Sequence, residues 1–173
     1  MVMRLLPLML MLSACMPIAP GPQQQRPRPI APILLAEHNR ERIAHGAAPL
    51  AWDPALAAAA GVYANQLAHE GRLRHSPKLQ RPGQGENLWI GTSGAFAIET
   101  MVGSWTGERR YFRRGIFPDN SRTGRWSDVG HFTAIIWPTT SRVGCGLGQS
   151  ARWDVLVCRY WPSGNVDGVA IGR

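Results

Sequence analysis

The sequence predicts an α+β fold, in which three helices are followed by three short strands. Apolar residues three and four positions apart indicate the helices, and three apolar runs near the end of the chain indicate the strands. Only short turns separate the strands, so we expect them to be neighbours in one antiparallel sheet. Helices with one apolar stripe must bury it, and we expect them to cover this sheet.

The start of the chain predicts a secretory signal that ends in a lipidation site. Arg4 supplies a basic start, and the apolar run over residues 5–12 is too short to span a bilayer as a stable helix. The motif L-S-A-C, which ends at Cys15, resembles the lipobox of bacterial lipoproteins, in which the cysteine is lipidated and becomes the new N-terminus. Residues 1–14 are therefore predicted to be a lipoprotein signal peptide. An ordinary signal cut after Ala14 is the alternative.

Residues 15–32 are predicted to form a Pro-rich tether. Residues 16–32 contain six prolines, a composition that cannot bury a core and favours extended polyproline conformations. The folded domain is expected to span residues 33–173. A lipid on Cys15 would anchor it to the membrane of the cell envelope. Met16 follows the cysteine where inner-membrane retention would favour Asp, so we expect the periplasmic face of the outer membrane, with an extracellular location as the alternative.

The chain is basic, with a formal net charge of +8. Arginines are densest in residues 109–125, but no nucleic-acid-binding motif accompanies them, and an exported protein rarely meets nucleic acid. We therefore expect a solvated basic face, which could rest on anionic lipid headgroups or cell wall, and no nucleic-acid partner. Lys78 is the single lysine, so the arginine excess indicates a compositional bias. The protein is expected to be a monomer.

The first two helices have clear boundaries. The first is predicted over residues 33–44 and is closed by Gly46. In the second, Asp53 is a good N-cap residue, Pro54 suits the first helical position and Gly71 ends the helix. Its apolar stripe, with spacings of four, three and four, consists of Leu56, Ala60, Tyr63 and Leu67.

The third helix, predicted over residues 95–112, follows a loop over residues 72–94 that is rich in Gly and Pro. The stripe of this helix consists of Ile98, Met101, Trp105, Glu108 and Phe112. A buried carboxylate is costly unless it is paired or hydrogen-bonded. Glu108 is therefore expected either to face a polar site or to turn to solvent.

The three strands are predicted over residues 131–137, 142–149 and 153–160. Cys145 and Cys158 lie on either side of the turn between the last two strands, so they would face each other across a hairpin. Cysteines of an exported chain tend to pair, and we expect a disulfide that contributes roughly 2–3 kcal/mol.

Four polar residues could carry chemistry: His75, Glu86, Glu108 and His131. Glu86 is flanked by glycines, His75 lies at the mouth of a loop, and His131 opens the first predicted strand. Taken singly, each is more often structural than functional. Their spacing fits no local metal template such as H-E-x-x-H, so spacing alone does not bring them together.

Four motifs make the chain similar to a known family. They are G-H-F-T ending in Trp at 130–140, a second signature with Cys, Tyr, Pro and Gly-Asn at 155–166, H-N-x-x-R at 38–42, and G-E-N-L at 85–88. These motifs, in this order, resemble the CAP superfamily, also called the SCP domain, which comprises the cysteine-rich secretory, antigen 5 and pathogenesis-related-1 proteins. The resemblance covers about residues 33–168, and the motif that resembles a lipobox predicts a bacterial lipoprotein member of this family.

The resemblance implies an α-β-α sandwich, with a small antiparallel sheet between helical layers, and a central cleft lined by two histidines and two glutamates. These family positions fall on His75, Glu86, Glu108 and His131. The resemblance thus gives Glu108 a polar cleft to face. One departure is Ala134, which replaces the usual glutamine and removes a side-chain amide near the cleft.

The resemblance leaves two kinds of function open. The first is a non-catalytic envelope protein that binds a small hydrophobic ligand, such as a sterol or fatty acid, or a divalent metal held by His75 and His131. Two imidazoles with two carboxylates suit a borderline metal, with Zn²⁺ first. The alternative is a metal-dependent hydrolase acting on peptide or cell-wall material, with a glutamate as base. A serine-protease site at His75 and Ser76 is disfavoured, because adjacent residues seldom aim at each other.

Overall fold

The computed structural model describes residues 29–172. The predicted signal peptide 1–14, Cys15 with its predicted lipid, and most of the tether 15–32 lie outside the described residues, as does Arg173. Within the described part, no helix combines the length and the apolar composition needed to cross a membrane.

The described residues form helices and strands in two sheets. The α-helices are α1 Ile30–Ala44, α2 Pro54–Glu70, α3 Ile98–Thr106 and α4 Gly130–Ile135. The strands are β1 Ala51–Trp52, β2 Gly85–Thr92, β3 Gly115–Ile116, β4 Arg142–Gln149, β5 Trp153–Trp161 and β6 Ala170–Ile171.

The main sheet lies between two helical layers. Its strand order is β1-β4-β5-β2, and β3 pairs with β6 in a separate ribbon. One apolar cluster joins α2 to β2 and β5, and a larger cluster on the other face joins the sheet to α1, α3 and α4. The predicted α-β-α sandwich is therefore confirmed. The sheet is mixed and not purely antiparallel, since the short β1 runs parallel to β4.

Helix α2 follows its sequence signals. The Asp53 carboxylate accepts hydrogen bonds from the backbone N–H groups of Ala55 and Leu56, at 2.9 and 3.1 Å, and so caps the first turn. Gly71 ends the helix in the left-handed conformation, at φ 67°. All four residues of the predicted stripe are buried. Local chemistry is thus sufficient to define this helix.

Strand β4 lets α2 approach the sheet closely. A Cβ atom on Gly144, Gly146 or Gly148 would lie 2.2–2.3 Å from backbone atoms of α2. The residues that alternate with these glycines, Val143, Cys145 and Leu147, point to the opposite face and pack in or against the larger core. Because every second residue is glycine, the backbone of α2 occupies the space that side chains would otherwise fill on this face of the strand.

The predicted strand 131–137 is wrong, because the segment forms the helix α4. Every residue from Phe132 to Ile135 is buried, and a segment buried on all sides shows no reliable period in its apolar residues. Long-range contacts decide the conformation. The Glu108 carboxylate accepts hydrogen bonds from backbone N–H groups in the first turn, and the Arg42 guanidinium donates to carbonyl groups at and beyond the last turn.

The predicted loop 72–94 is wrong over its second half, because residues Gly85–Thr92 form β2, which pairs antiparallel with β5. This strand has the composition of a loop, since it contains two glycines and the polar residues Glu86 and Asn87. Both polar side chains are buried and hydrogen-bonded to partners outside the strand, which satisfies them.

Two helix boundaries differ from the prediction. Helix α1 begins at Ile30, three residues before the expected start of the folded part. Helix α3 covers only Ile98–Thr106 of the predicted segment 95–112, and a 3₁₀ turn follows over Gly107–Arg110. Glu108 thus lies in this turn and not on the α-helical stripe.

The predicted disulfide is present in the structure. Cys145 in β4 and Cys158 in β5 are directly opposite in the antiparallel register and are bonded, with a sequence separation of 13. Both cysteines are buried. The hairpin at the centre of the sheet is therefore closed covalently.

Candidate functional site

An open cleft of about 450 Å³ lies between the start of β2 and the start of α4. Three of the four predicted site residues line it: His75, Glu86 and His131. Glu108 stands beside His131 and bonds to it. The rest of the lining comes from β2, α4 and the segments 78–81, 126–127 and 163–165, and it consists of Lys78, Arg81, Gly85, Asn87, Trp126, Ser127, Gly130, Ala134, Ser163, Gly164 and Asn165.

Glu108 holds His131 in place through both of its carboxylate oxygens. Oε1 lies 2.6 Å from Nδ1 of the imidazole, and Oε2 accepts hydrogen bonds from the backbone N–H groups of His131 and Phe132, at 3.0 and 3.1 Å. The ring of Trp105 stacks near the imidazole, with centroids 6.1 Å apart and an interplanar angle of 15°. The position of the ring is therefore fixed from two directions.

Glu86 holds His75 in a similar way. Its Oε1 lies 3.0 Å from the His75 Nδ1 and accepts a hydrogen bond from the Ser76 backbone N–H at 2.9 Å. The Ser76 hydroxyl donates to the Oε2 at 2.8 Å. Since this hydroxyl is buried against a carboxylate and faces no histidine, the geometry gives no support to a serine nucleophile.

Two arginines compensate the charge of Glu86, whose side chain is fully buried. The Nε atoms of Arg81 and Arg159 lie 3.6 and 3.5 Å from its carboxylate oxygens. Burial on its own would raise the pKa of the Glu86 carboxyl, but the hydrogen bonds from His75 and Ser76 and the charge of Arg81 outweigh it and lower the pKa. The carboxylate is therefore charged and satisfied by the protein itself.

The two imidazoles share one arrangement. With a carboxylate on Nδ1, the tautomer assigned to each ring carries its proton there and leaves the Nε2 lone pair available. Among the described residues, no hydrogen bond reaches the Nε2 of His75 or His131. The side chains are 55% and 37% exposed, so solutes in the cleft can reach both atoms. This is the arrangement in which histidine ligates a metal while a carboxylate orients the ring.

The glutamates are placed to orient the rings and not to share a metal with them. In the described part of the chain, the one group of three potential ligands whose atoms lie within 4.8 Å of one another is His38, Cys145 and Cys158. The two cysteines are bonded to each other and cannot ligate a metal as thiolates. A metal at His75 and His131 would thus complete its coordination with water or a bound ligand.

A buried chain of hydrogen bonds runs from α1 to the backbone of His131. The amide nitrogen of Asn87 donates to the His131 carbonyl and to the Tyr160 hydroxyl, each at 3.1 Å. That hydroxyl donates in turn to the His38 Nε2 at 2.8 Å, and the His38 Nδ1 donates to the Leu34 carbonyl at 2.7 Å. Burial lowers the pKa of His38 to about 4 and raises the pKa of Tyr160, so both groups are neutral. The chain ties one wall of the cleft to the core.

Arg42 fixes the far end of α4. Its Nη1 donates to the carbonyls of Ile135 and Trp137 at 2.7 and 2.9 Å, and its Nη2 donates to the Thr140 carbonyl at 2.7 Å. A cation near the last turn of a helix is favourable. The side chain is completely buried, and burial lowers the pKa of Arg42 to about 10. Helix α4 is thus held by an anion at its start and a cation at its end.

Sequence reasoning missed the residues that support the predicted four. The matched motifs contained His38, Arg42 and Asn87, but their spacing did not show that they contact α4. Arg159 had no signal, because its pairing with Glu86 depends on the register of β2 with β5. Arg81 lies in the turn just before β2, and its contact with Glu86 depends on the conformation of that turn. Apart from this one, these contacts join segments that are distant in sequence.

Comparison with known proteins shows which family and which individual proteins this chain resembles. The family described as CAP, the cysteine-rich secretory protein family, matches residues 35–160. Pathogenesis-related protein 1C of Nicotiana tabacum is 36% identical over 136 residues, which cover 78% of this chain and 76% of the tobacco protein.

Solved structures share the fold. The structure of BmVAL-1 superposes with a TM-score of 0.69 at 24% sequence identity. The superposition covers 90% of this chain and 87% of the BmVAL-1 chain. The crystal structure of NaASP2 with Zn²⁺ has a TM-score of 0.66 at 23% identity, with coverage of 88% and 89%. The helices and the sheet therefore follow a fold found in solved proteins.

Proposed function

The chain belongs to the CAP family, as a CAP-domain protein of the pathogenesis-related-1 and venom-allergen group, and from this premise we propose that its cleft binds Zn²⁺ through His75 and His131. The observation that carries the proposal is the pair of imidazoles, each held at Nδ1 by a glutamate and open at Nε2. A CAP-fold neighbour has been crystallised with Zn²⁺, which supports the choice of metal.

A binding function is better supported than metal-dependent hydrolysis. A hydrolase needs a base that can take a proton from a metal-bound water. The Glu108 oxygens are used by the His131 ring and by backbone N–H groups, and the Glu86 oxygens by His75, Ser76 and two arginines. Because neither carboxylate has an oxygen free of protein partners, the proposal is a non-catalytic binding protein.

Zinc titration by calorimetry tests the proposal. The protein is the chain from residue 15 with Cys15→Ser, which keeps all described residues without the lipid. We expect one Zn²⁺ per chain, and a loss of affinity of more than about tenfold in His75→Ala and in His131→Ala, since each change removes one of two protein ligands.

The matched control is His69→Ala, which removes an exposed histidine of α2 outside the cleft. This variant should bind zinc as the unmodified chain does. Equal affinity in His131→Ala and in the unmodified chain, or no saturable binding by either, would contradict the metal site. The four residues would then form a polar cluster that shapes the cleft.

The proposal includes an envelope location. The lipobox at Cys15 and the proline-rich segment after it would hold the domain off a membrane surface, on the periplasmic side of the outer membrane. The disulfide between Cys145 and Cys158 supports an oxidising compartment.

A second cavity favours an additional hydrophobic ligand. About 320 Å³ lies at the C-terminal end of α1 and is lined in part by Ala47, Ile136 and Pro138. This volume falls in the range of small-molecule sites. We expect a fluorescent fatty acid to bind there and Ala47→Trp to block it; binding that Ala47→Trp leaves unchanged would place the ligand elsewhere.

A further inference from the structure

The single lysine of the chain lines the cleft. Lys78 is the only lysine among the 19 lysine and arginine residues, and it sits in the 3₁₀ turn Lys78–Gln80, between His75 and the buried Arg81. Its side chain is exposed. An ammonium group is a compact point charge with three donors, whereas a guanidinium is a planar fork. The cleft thus has a cation of a type found nowhere else in the chain.

The fixed charge of the cleft is positive. Glu86 is the only carboxylate among the lining residues, and its side chain is fully buried between Arg81 and Arg159. Glu108 lies behind His131 and is occupied by that ring and by backbone N–H groups. No acid of the lining therefore offsets Lys78, and a metal at the histidines would add further positive charge.

The cleft also has an aromatic wall. Trp126 is 49% exposed, and its ring packs edge-on against Phe117, with centroids 5.5 Å apart. An indole held on one side and open on the other offers a flat apolar surface for a ring or acyl group. Asn165 and Ser127 add polar groups to the same lining.

We propose that the cleft binds an organic oxyanion, a carboxylate or phosphate monoester, with the anionic group between Lys78 and the two histidines and the apolar part against Trp126. The inference rests on the proposed function in one respect, since it takes this cleft to be the ligand site. The inference adds the chemical class of the ligand, which a metal bound at the two histidines would not specify. A charge-assisted hydrogen bond from the ammonium group gives the anion its preference over a neutral analogue.

The lone lysine makes the test specific. Reductive methylation with ¹³C-formaldehyde labels amines, so the chain from residue 15 with Cys15→Ser gives one side-chain signal, from Lys78, beside that of its N-terminus. Lys78→Arg identifies the signal by removing it. Benzoate and phenyl phosphate are the anionic probes, and benzamide is the neutral control. We expect saturable shifts of the Lys78 signal with both anions and none with benzamide, and weaker binding as salt is raised.

A calorimetric titration supplies the matching affinity. Lys78→Met should weaken benzoate binding about tenfold, the ratio expected when one charge-assisted hydrogen bond is lost. Arg40→Met changes the net charge equally on the exposed face of α1, outside the cleft, and should leave the affinity unchanged. Anions that leave the Lys78 signal unmoved, or equal binding by Lys78→Met and the unmodified chain, would overturn the inference.

Zinc titration of the same samples separates the two proposals. Zinc binding without any response to the anions would overturn the oxyanion site and leave the metal site standing. A response to the anions without zinc binding would support the oxyanion site and contradict the metal site.

Discussion

Replacement of His38 by glutamine should make the fold less sensitive to acid. The imidazole is completely buried, and its Nε2 accepts a hydrogen bond from Tyr160, so it must be neutral in the native state. A proton on Nε2 would break that bond and place a charge close to the Arg42 cation. Glutamine can still hydrogen-bond, but it cannot take up a proton.

The size of the effect follows from the difference between the two states. Burial lowers the pKa of His38 from 6.5 to about 4 in the folded protein. Between these values the unfolded chain binds a proton that the native state excludes, so the free energy of unfolding falls as the pH falls from above 6.5 towards 4. This difference between the two pKa values of His38 lowers the free energy of unfolding by about 3 kcal/mol at pH 4 and by very little at pH 7.

Urea unfolding followed by tryptophan fluorescence, at several pH values from 7 to 4, measures the effect. Carboxylates with a lowered pKa, such as Glu86, also destabilise the fold in acid, but they do so equally in both proteins. The informative quantity is therefore the loss of unfolding free energy between pH 7 and pH 4 in the wild type minus the same loss in His38→Gln. We expect this difference to be about 3 kcal/mol. His69→Gln, at an exposed site, is the matched control variant. Parallel curves for wild type and His38→Gln would refute the reasoning.

Three further changes test other parts of the structure. Glu108→Gln removes the charge that caps α4. We expect the free energy of unfolding to fall by about 1–2 kcal/mol, measured by urea unfolding, and the zinc affinity to fall about tenfold, measured by calorimetry. Wild-type values for both would contradict the role of this carboxylate. Replacing Cys145 and Cys158 by serine should lower the free energy of unfolding by about 2–3 kcal/mol, and two free thiols in protein taken from the envelope would argue against the bond. Cys15→Ser should abolish labelling by radioactive palmitate and release the protein from membranes, and a variant that stays labelled and membrane-bound would disprove the anchor.

The sequence predicted the elements whose determinants are local. Asp53, Pro54 and Gly71 define α2 without help from the rest of the chain. The hairpin of β4 and β5 was predicted from its two runs and from Cys145 and Cys158, because a short turn leaves few other pairings.

The elements that were missed depend on distant partners. Helix α4 has the composition of a strand, and it is helical because Glu108 and Arg42 satisfy its two ends. Strand β2 has the composition of a loop. It was missed because burial of Glu86 depends on Arg159 in the neighbouring strand. The family resemblance named the four candidate site residues, but physical patterns in the sequence could not show which atoms of His75 remain accessible.

The glycines of β4 distinguish positions of this fold that accept no other residue from positions that can be substituted. At Gly144, Gly146 and Gly148 even a methyl group would overlap the backbone of α2, so no compensating change in a neighbouring side chain can make room for it. The cleft is lined by no residue of α2, and it is formed largely by loops and exposed side chains that meet solvent. New ligand preferences can therefore arise from changes in the cleft that leave the contact between α2 and the sheet intact.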